Sequence, residues 1–163
     1  MNPPVIKVFI FQYPSPLAGA WFDIDSTTEW DEITEQMESL GYSGEEYGCA
    51  DTDHALANCF LTGESLDLKA LTSCLADIEF HRLDPNAVTA FINCYGEWDV
   101  DAFLDAYQGE AESEAAFTQD LVEECYPEIE SLPPFIHIDW EATARDLFIS
   151  DFYMEDGHVF RHV

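Results

Sequence analysis

Thirty-four aspartates and glutamates stand against five lysines and arginines in this sequence, a formal net charge of −29 over 163 residues. Charge of that size opposes compaction through self-repulsion. The carboxylates must therefore lie on the surface, and an elongated fold is favoured over a sphere. The chain is nevertheless 47% hydrophobic and 14% aromatic, which is enough to bury a core and separates it from disordered acidic tails. Its length suits one ordinary domain or two or three very small ones. Such a surface repels nucleic acid and anionic membranes, so neither is expected as a partner. A basic groove on another protein is the natural target.

Five cysteines, an odd number with no C-x-x-C pair, read as small reduced hydrophobes and not as a disulfide frame or zinc site. No basic start with a small-residue cleavage site opens the sequence, and no apolar run reaches the ~20 residues of a membrane span. A soluble, cytoplasmic protein of a bacterial host is expected. There is no H-E-x-x-H, G-x-S-x-G, P-loop or G-x-G-x-x-G, so no catalytic residue, metal or cofactor is assigned. Asp51-x-Asp53 and Asp99-x-Asp101 do not continue into a calcium loop. The five histidines are scattered, and among so many acids a glycosidase-like pair carries no weight.

In chain order, Val5–Tyr13 reads as a mostly buried strand, Pro14-Ser15-Pro16 as a turn, and Gly19–Ile24 as a second strand alternating Ala20, Phe22 and Ile24 with Trp21 and Asp23. Ser26-Thr-Thr-Glu29 fits a capping box, opening a helix that runs to Leu40 and stops at Gly41. Its apolar stripe is Trp30, Ile33, Met37 and Leu40. Glu29, Asp31, Glu32, Glu35 and Glu38 occupy its other faces. A third strand is expected over 46–50. These elements form an α+β segment, 1–66, with a small antiparallel sheet plus a helix.

Residues 67–107 read as a bundle of short helices, marked by Leu68, Leu71, Leu75 and Ile78, by Asp84-Pro85 through Tyr95 to Gly96, and by Asp99 through Tyr107 to Gly109. Residues 108–163 make a third segment. It holds an acidic helix from Ala111 to Cys125 with Phe117, Leu121 and Cys125 as its seam, a helix capped by Asp139, and a hairpin turning at Asp156-Gly157. In the second helix Trp140, Ala144, Leu147 and Phe148 form one apolar stripe, and Arg145 sits four residues after Glu141, suited to an ion pair. The three segments carry −11, −6 and −12.

Two stretches carry a resemblance. His137-Ile-Asp-Trp-Glu-Ala-Thr-Ala-Arg-Asp-Leu147 resembles the C-terminal signature of ArdA-type antirestriction proteins, and Gly19-Ala-Trp-Phe-Asp23 is similar to that family's early Gly-Ala-Trp strand. Length, acidity and motif order agree, while the middle is similar only in composition. The resemblance implies a DNA mimic, carried by a mobile element, that inhibits type I restriction–modification enzymes as a homodimer. It also places Leu121–Phe135 at the family's antirestriction motif, near the surface through which subunits pair. This version differs considerably, with Pro127 and Pro133-Pro134 interrupting it. Tyr126, Ile129, Leu132 and Phe135 would then form the dimer contact, or else pack inside the third segment.

Duplex DNA carries about one charge per ~1.7 Å of axis, so 29 charges match roughly 15 base pairs. The carboxylates expected to form the DNA-like surface are those of the first helix together with Glu45, Glu46, Asp99, Asp101, Asp105, Glu110, Glu112, Glu114, Asp120, Glu123, Glu124, Glu128 and Glu130. Two other readings compete: an acidic adaptor that sequesters another basic DNA-binding protein, and the general acidity of a salt-loving organism's proteins, which the many aromatic residues fit badly.

Overall fold

The computed structural model describes residues 4–163, and it is an α+β protein built from small antiparallel sheets and short helices. The chain divides into two compact units, Met1–Trp98 and Asp99–Val163. The division falls inside the stretch 67–107 and gives the Asp99-capped helix to the second unit.

In the first unit, strands β1 (Ile6–Gln12), β2 (Gly19–Ile24) and β3 (Tyr47–Thr52) form a sheet of order β2-β1-β3. Ile6, Val8 and Ile10 of β1 are wholly buried, as are Ile24 of β2 and Met37 of helix α1 (Trp30–Ser39). The period-2 alternation of β2 is realised: Phe22 and Ile24 are buried and Ala20 half-buried, while Trp21 and Asp23 face out. Gly19 starts β2 opposite Phe11, where a methyl group would run into the Ile10 backbone carbonyl. The Tyr13–Pro14 bond is cis, in the turn between β1 and β2.

Helix α1 starts later than the capping-box pattern predicts. Asp25 takes the local hydrogen bonds instead, accepting from Thr27 N–H (2.8 Å) and from the Thr27 and Thr28 hydroxyls. Glu29 becomes the cap position with no side-chain bond. Ile33 and Met37 are buried, Trp30 is half-buried and Leu40 is exposed, so the working stripe is shorter than expected.

The remainder of the unit holds helix α2 (Ala55–Asn58), the two-residue strands β4 (Leu61–Thr62) and β5 (Ser65–Leu66), α3 (Leu68–His81) and α4 (Pro85–Tyr95). Leu68, Leu71, Leu75 and Ile78 of α3 are all buried, as the spacing predicts. Asp84 caps α4 through Asn86 N–H with Pro85 in the first turn, and Gly96 ends it at φ 99°. Elements as short as α2, β4 and β5 carry too few residues for periodicity to register.

The second unit contains α5 (Val100–Ala106), β6 (Tyr107–Glu110), α6 (Glu114–Cys125), a 3₁₀ turn (Pro127–Ser131), α7 (Trp140–Ser150), β7 (Phe152–Glu155) and β8 (His158–Arg161). Gly109 does not close α5. Tyr107 turns extended, and Gly109 (φ 110°) sits where the pairing of β6 with β8 shifts register, as glycine allows in a bulge. The sheet order is β6-β8-β7, and Asp156 (φ 50°) and Gly157 (φ 81°) make the expected two-residue turn.

Phe160, fully buried, is ringed by Phe103, Tyr107 and Tyr153, and Phe117, Phe148 and Phe152 form a second aromatic cluster. The seam expected on α6 is displaced. Thr118 is its buried residue, Phe117 and Leu121 are half-buried, and Cys125 is exposed. The predicted Glu141–Arg145 pairing does not form among the described residues, since the exposed Arg145 side chain has water as the alternative. All five cysteines are free thiols. Burial, as the largest cause, pushes the Cys49, Cys59 and Cys74 thiols up. No helix among the described residues is long and apolar enough to cross a membrane.

Candidate functional site: the carboxylate surface

Helices α1 and α6 carry acids on the faces turned away from their apolar residues, whereas α4 contains none. None of the 34 acidic side chains is buried: Asp77, Asp84, Glu123 and Glu155 are half-buried and the rest are exposed. Of the eighteen carboxylates singled out from the sequence, only Glu123 is half-buried, accepting a hydrogen bond from Gln119 Nε2 at 2.9 Å.

Helix α1 holds the densest row in the first unit. After Glu29 at the cap, Asp31, Glu32, Glu35 and Glu38 lie along about 11 Å of helix at ~1.5 Å rise per residue, or one carboxylate per ~3 Å. A single DNA strand carries one phosphate per ~3.4 Å. In the second unit Glu114, Asp120, Glu123 and Glu124 mark α6, and Glu128 and Glu130 continue the charge onto the 3₁₀ turn.

The placement runs partly against helix stability. Asp31, Glu32 and Glu114 lie in first turns, where the helix dipole favours negative charge. Glu38, Glu123 and Glu124 lie near C-terminal ends, where it disfavours them, and neither helix has a base in its last turn.

Not all the acids are free for a partner. Asp99 caps α5, accepting from Ala102 N–H at 3.0 Å, and Glu110 lies 3.9 Å from the buried His158, whose Nδ1 shares a hydrogen bond with the Tyr107 hydroxyl. Asp67 and Asp139 cap α3 and α7. Asp53 accepts from Lys7 N–H at 2.7 Å, and Asp77 accepts from the Trp98 indole at 2.9 Å. The Thr27 hydroxyl first, and then the Thr27 N–H, hold Asp25 below its ordinary value of 3.8.

Of the association residues, Tyr126, Leu132 and Phe135 are exposed, Phe135 by 80%, and Ile129 is half-buried. Ile129 and Leu132 line a hollow of about 280 Å³ with Pro133, Pro134, Ile136 and Trp140. Sequence reasoning passed over the free edge of β2, where Trp21 and Asp23 line a larger cavity of about 510 Å³. Their alternation with Phe22 and Ile24 was the available signal.

The comparison with curated proteins found no match. The sequence model of the antirestriction protein (ArdA) family matches residues 15–160. That match takes in both end motifs, the α1 and α6 carboxylate rows and the apolar stretch after α6, and the chain belongs to the ArdA antirestriction family.

Proposed function

We propose that this antirestriction protein occupies the DNA-binding groove of type I restriction–modification enzymes, its carboxylates taking the positions of DNA phosphates. The observation that carries the reading is the complete surface placement of 34 acids against five bases. Lys and Arg side chains that grip phosphates would be neutralised by carboxylates, with release of counterions and electrostatically steered association. Such an inhibitor needs no sequence readout and no catalysis. Nucleic acid itself, equally anionic, is not its partner.

Two copies joined through Tyr126, Ile129, Leu132 and Phe135 would present roughly 29 base pairs' worth of charge. Exposed apolar side chains on so acidic a surface support that assignment, because they are the places where like-charged copies gain from contact. Host and compartment follow from the target: a bacterial cytoplasm in which foreign DNA meets restriction.

The test is competition. A labelled duplex containing a type I site is bound to the purified methyltransferase core, and this protein is titrated in at two salt concentrations. Displacement that weakens as salt rises is expected. Failure to displace the duplex from several such enzymes would sink the reading and favour an adaptor for another basic DNA-binding protein.

A further inference from the structure

Beyond the carboxylate rows of α1 and α6, the Gly19-Ala-Trp-Phe-Asp23 strand contributes something a phosphate rod lacks. β2 is an edge strand, and its outward face carries Trp21, 49% exposed, beside Asp23. The Trp21 ring is braced edge-on by Phe9 across the strand pair, with centroids 5.5 Å apart and planes at 68°. Trp21 walls the 510 Å³ cavity between this edge and α1, whose other lining includes Asp23, Asp25, Glu32, Gln36 and Lys7. Three carboxylates and one ammonium give the cavity a net charge of −2. Lys7 lies 4.0 Å from Asp23, with both side chains more than half exposed, so their attraction is weak and easily exchanged. Hydrogen bonds from Thr27 and Thr28 fix Asp25 in place.

A half-exposed indole beside several carboxylates fits one kind of occupant. A guanidinium is planar, stacks on aromatic rings and donates in a fork that matches carboxylates. We infer that this cavity receives an arginine side chain presented by the enzyme that the protein antagonises. The inference rests on the proposed function and adds to it a single anchoring point among many diffuse charge contacts. Trp21 supplies the stacking face, and Asp23 and Glu32 the acceptors.

Two measurements on the full chain test it. In the first, the indole N–H signals are followed by NMR as a capped Gly-Gly-Arg-Gly-Gly peptide is added, with a citrulline-for-arginine peptide as the uncharged isostere. Saturable movement of the Trp21 signal with the arginine peptide alone supports the cavity. Equal responses, or none, overturn it whatever the protein does to restriction enzymes. In the second, Trp21→Ala and Trp21→Phe are compared with the wild type in displacing duplex from the methyltransferase core, after their melting curves are checked. Trp21→Ala should weaken displacement roughly tenfold, with Trp21→Phe between it and the wild type. If the wild type displaces DNA and Trp21→Ala does so equally well, the cavity proposal falls while the mimicry reading stands. Dissociation of otherwise paired copies by Trp21→Ala would assign the cavity to a second copy and likewise overturn the proposal.

Discussion

The units Met1–Trp98 and Asp99–Val163 carry almost the same net charge on very different amounts of protein. The first has seventeen acids and three bases over 98 residues, net −14. The second has seventeen acids and two bases over 65 residues, net −15. Their interiors differ in the opposite direction. Of 28 buried apolar side chains among the described residues, 22 lie in the first unit and six in the second. The smaller unit thus carries more repulsion per residue with less burial to oppose it. It answers with aromatic rings, which bury large areas per side chain. The contrast teaches that charge was distributed without regard to how much core lay beneath it, as a surface under functional demand would require.

If the second unit depends on its few rings, the largest effect should come from Phe160→Ala. Phe160 is fully exposed to neighbouring aromatics and not at all to water. The loss should be about 3–5 kcal/mol, enough to melt that unit while hydrogen exchange in β1–β3 stays protected. Simultaneous loss of protection in both units would break the comparison, because they would then be one cooperative body.

A smaller effect, of opposite sign, is expected at Thr118, whose buried hydroxyl oxygen has no hydrogen-bond partner. Thr118→Val keeps the shape and removes the polar atom, and should stabilise by about 1–2 kcal/mol. Denaturant midpoints read this directly; a lower midpoint for the valine protein would mean the hydroxyl is satisfied in solution.

Repulsion on α6 can be probed at Glu124, four residues after Asp120 and near the C-terminal end of the helix. Glu124→Lys converts a repulsive pair into an attractive one and suits the dipole, so a gain of roughly 0.5–1 kcal/mol is expected at low salt. That gain should shrink as salt is added. A gain that persisted at high salt would point to packing and not to charge.

The smallest effect belongs to the first unit. Asp25 is held below its ordinary value of 3.8 by hydrogen bonds from Thr27 and Thr28. Its contribution to stability is therefore complete above about pH 4 and is lost as pH falls through the lower folded value. Asp25→Asn should flatten the acid side of the stability curve slightly. An unchanged curve would show that the turn before α1 forms without its carboxylate.

Much of the local structure was legible in the residues themselves. Asp84-Pro85 with Gly96, Asp99, Asp139 and Asp156-Gly157 each announced a helix end or a turn correctly, because caps and tight turns depend on a few neighbouring atoms. The leucine spacing of α3 and the alternation in β2 likewise resolved which side faces inward. The surface position of the carboxylates followed from solvation alone, since burying an unpaired charge is prohibitive.

Tertiary structure decided the rest. Whether Asp25 or Ser26 would organise the entry to α1 turned on competing hydrogen bonds that sequence pattern cannot rank. Strand β6 exists because β8, some fifty residues later, supplies its partner, and Gly109 could be read as a helix stop or as a bulge until that pairing was known. Thr118, beside Phe117 of the Phe117–Phe148–Phe152 cluster, is buried where the period of α6 alone pointed to Cys125. The cavity beside Trp21 needed an edge strand and a helix to meet across residues distant in sequence. Composition determined that this protein would show the world a field of carboxylates. Only the fold decided which of them are tied into caps and turns, because that depends on atoms brought together from distant parts of the chain.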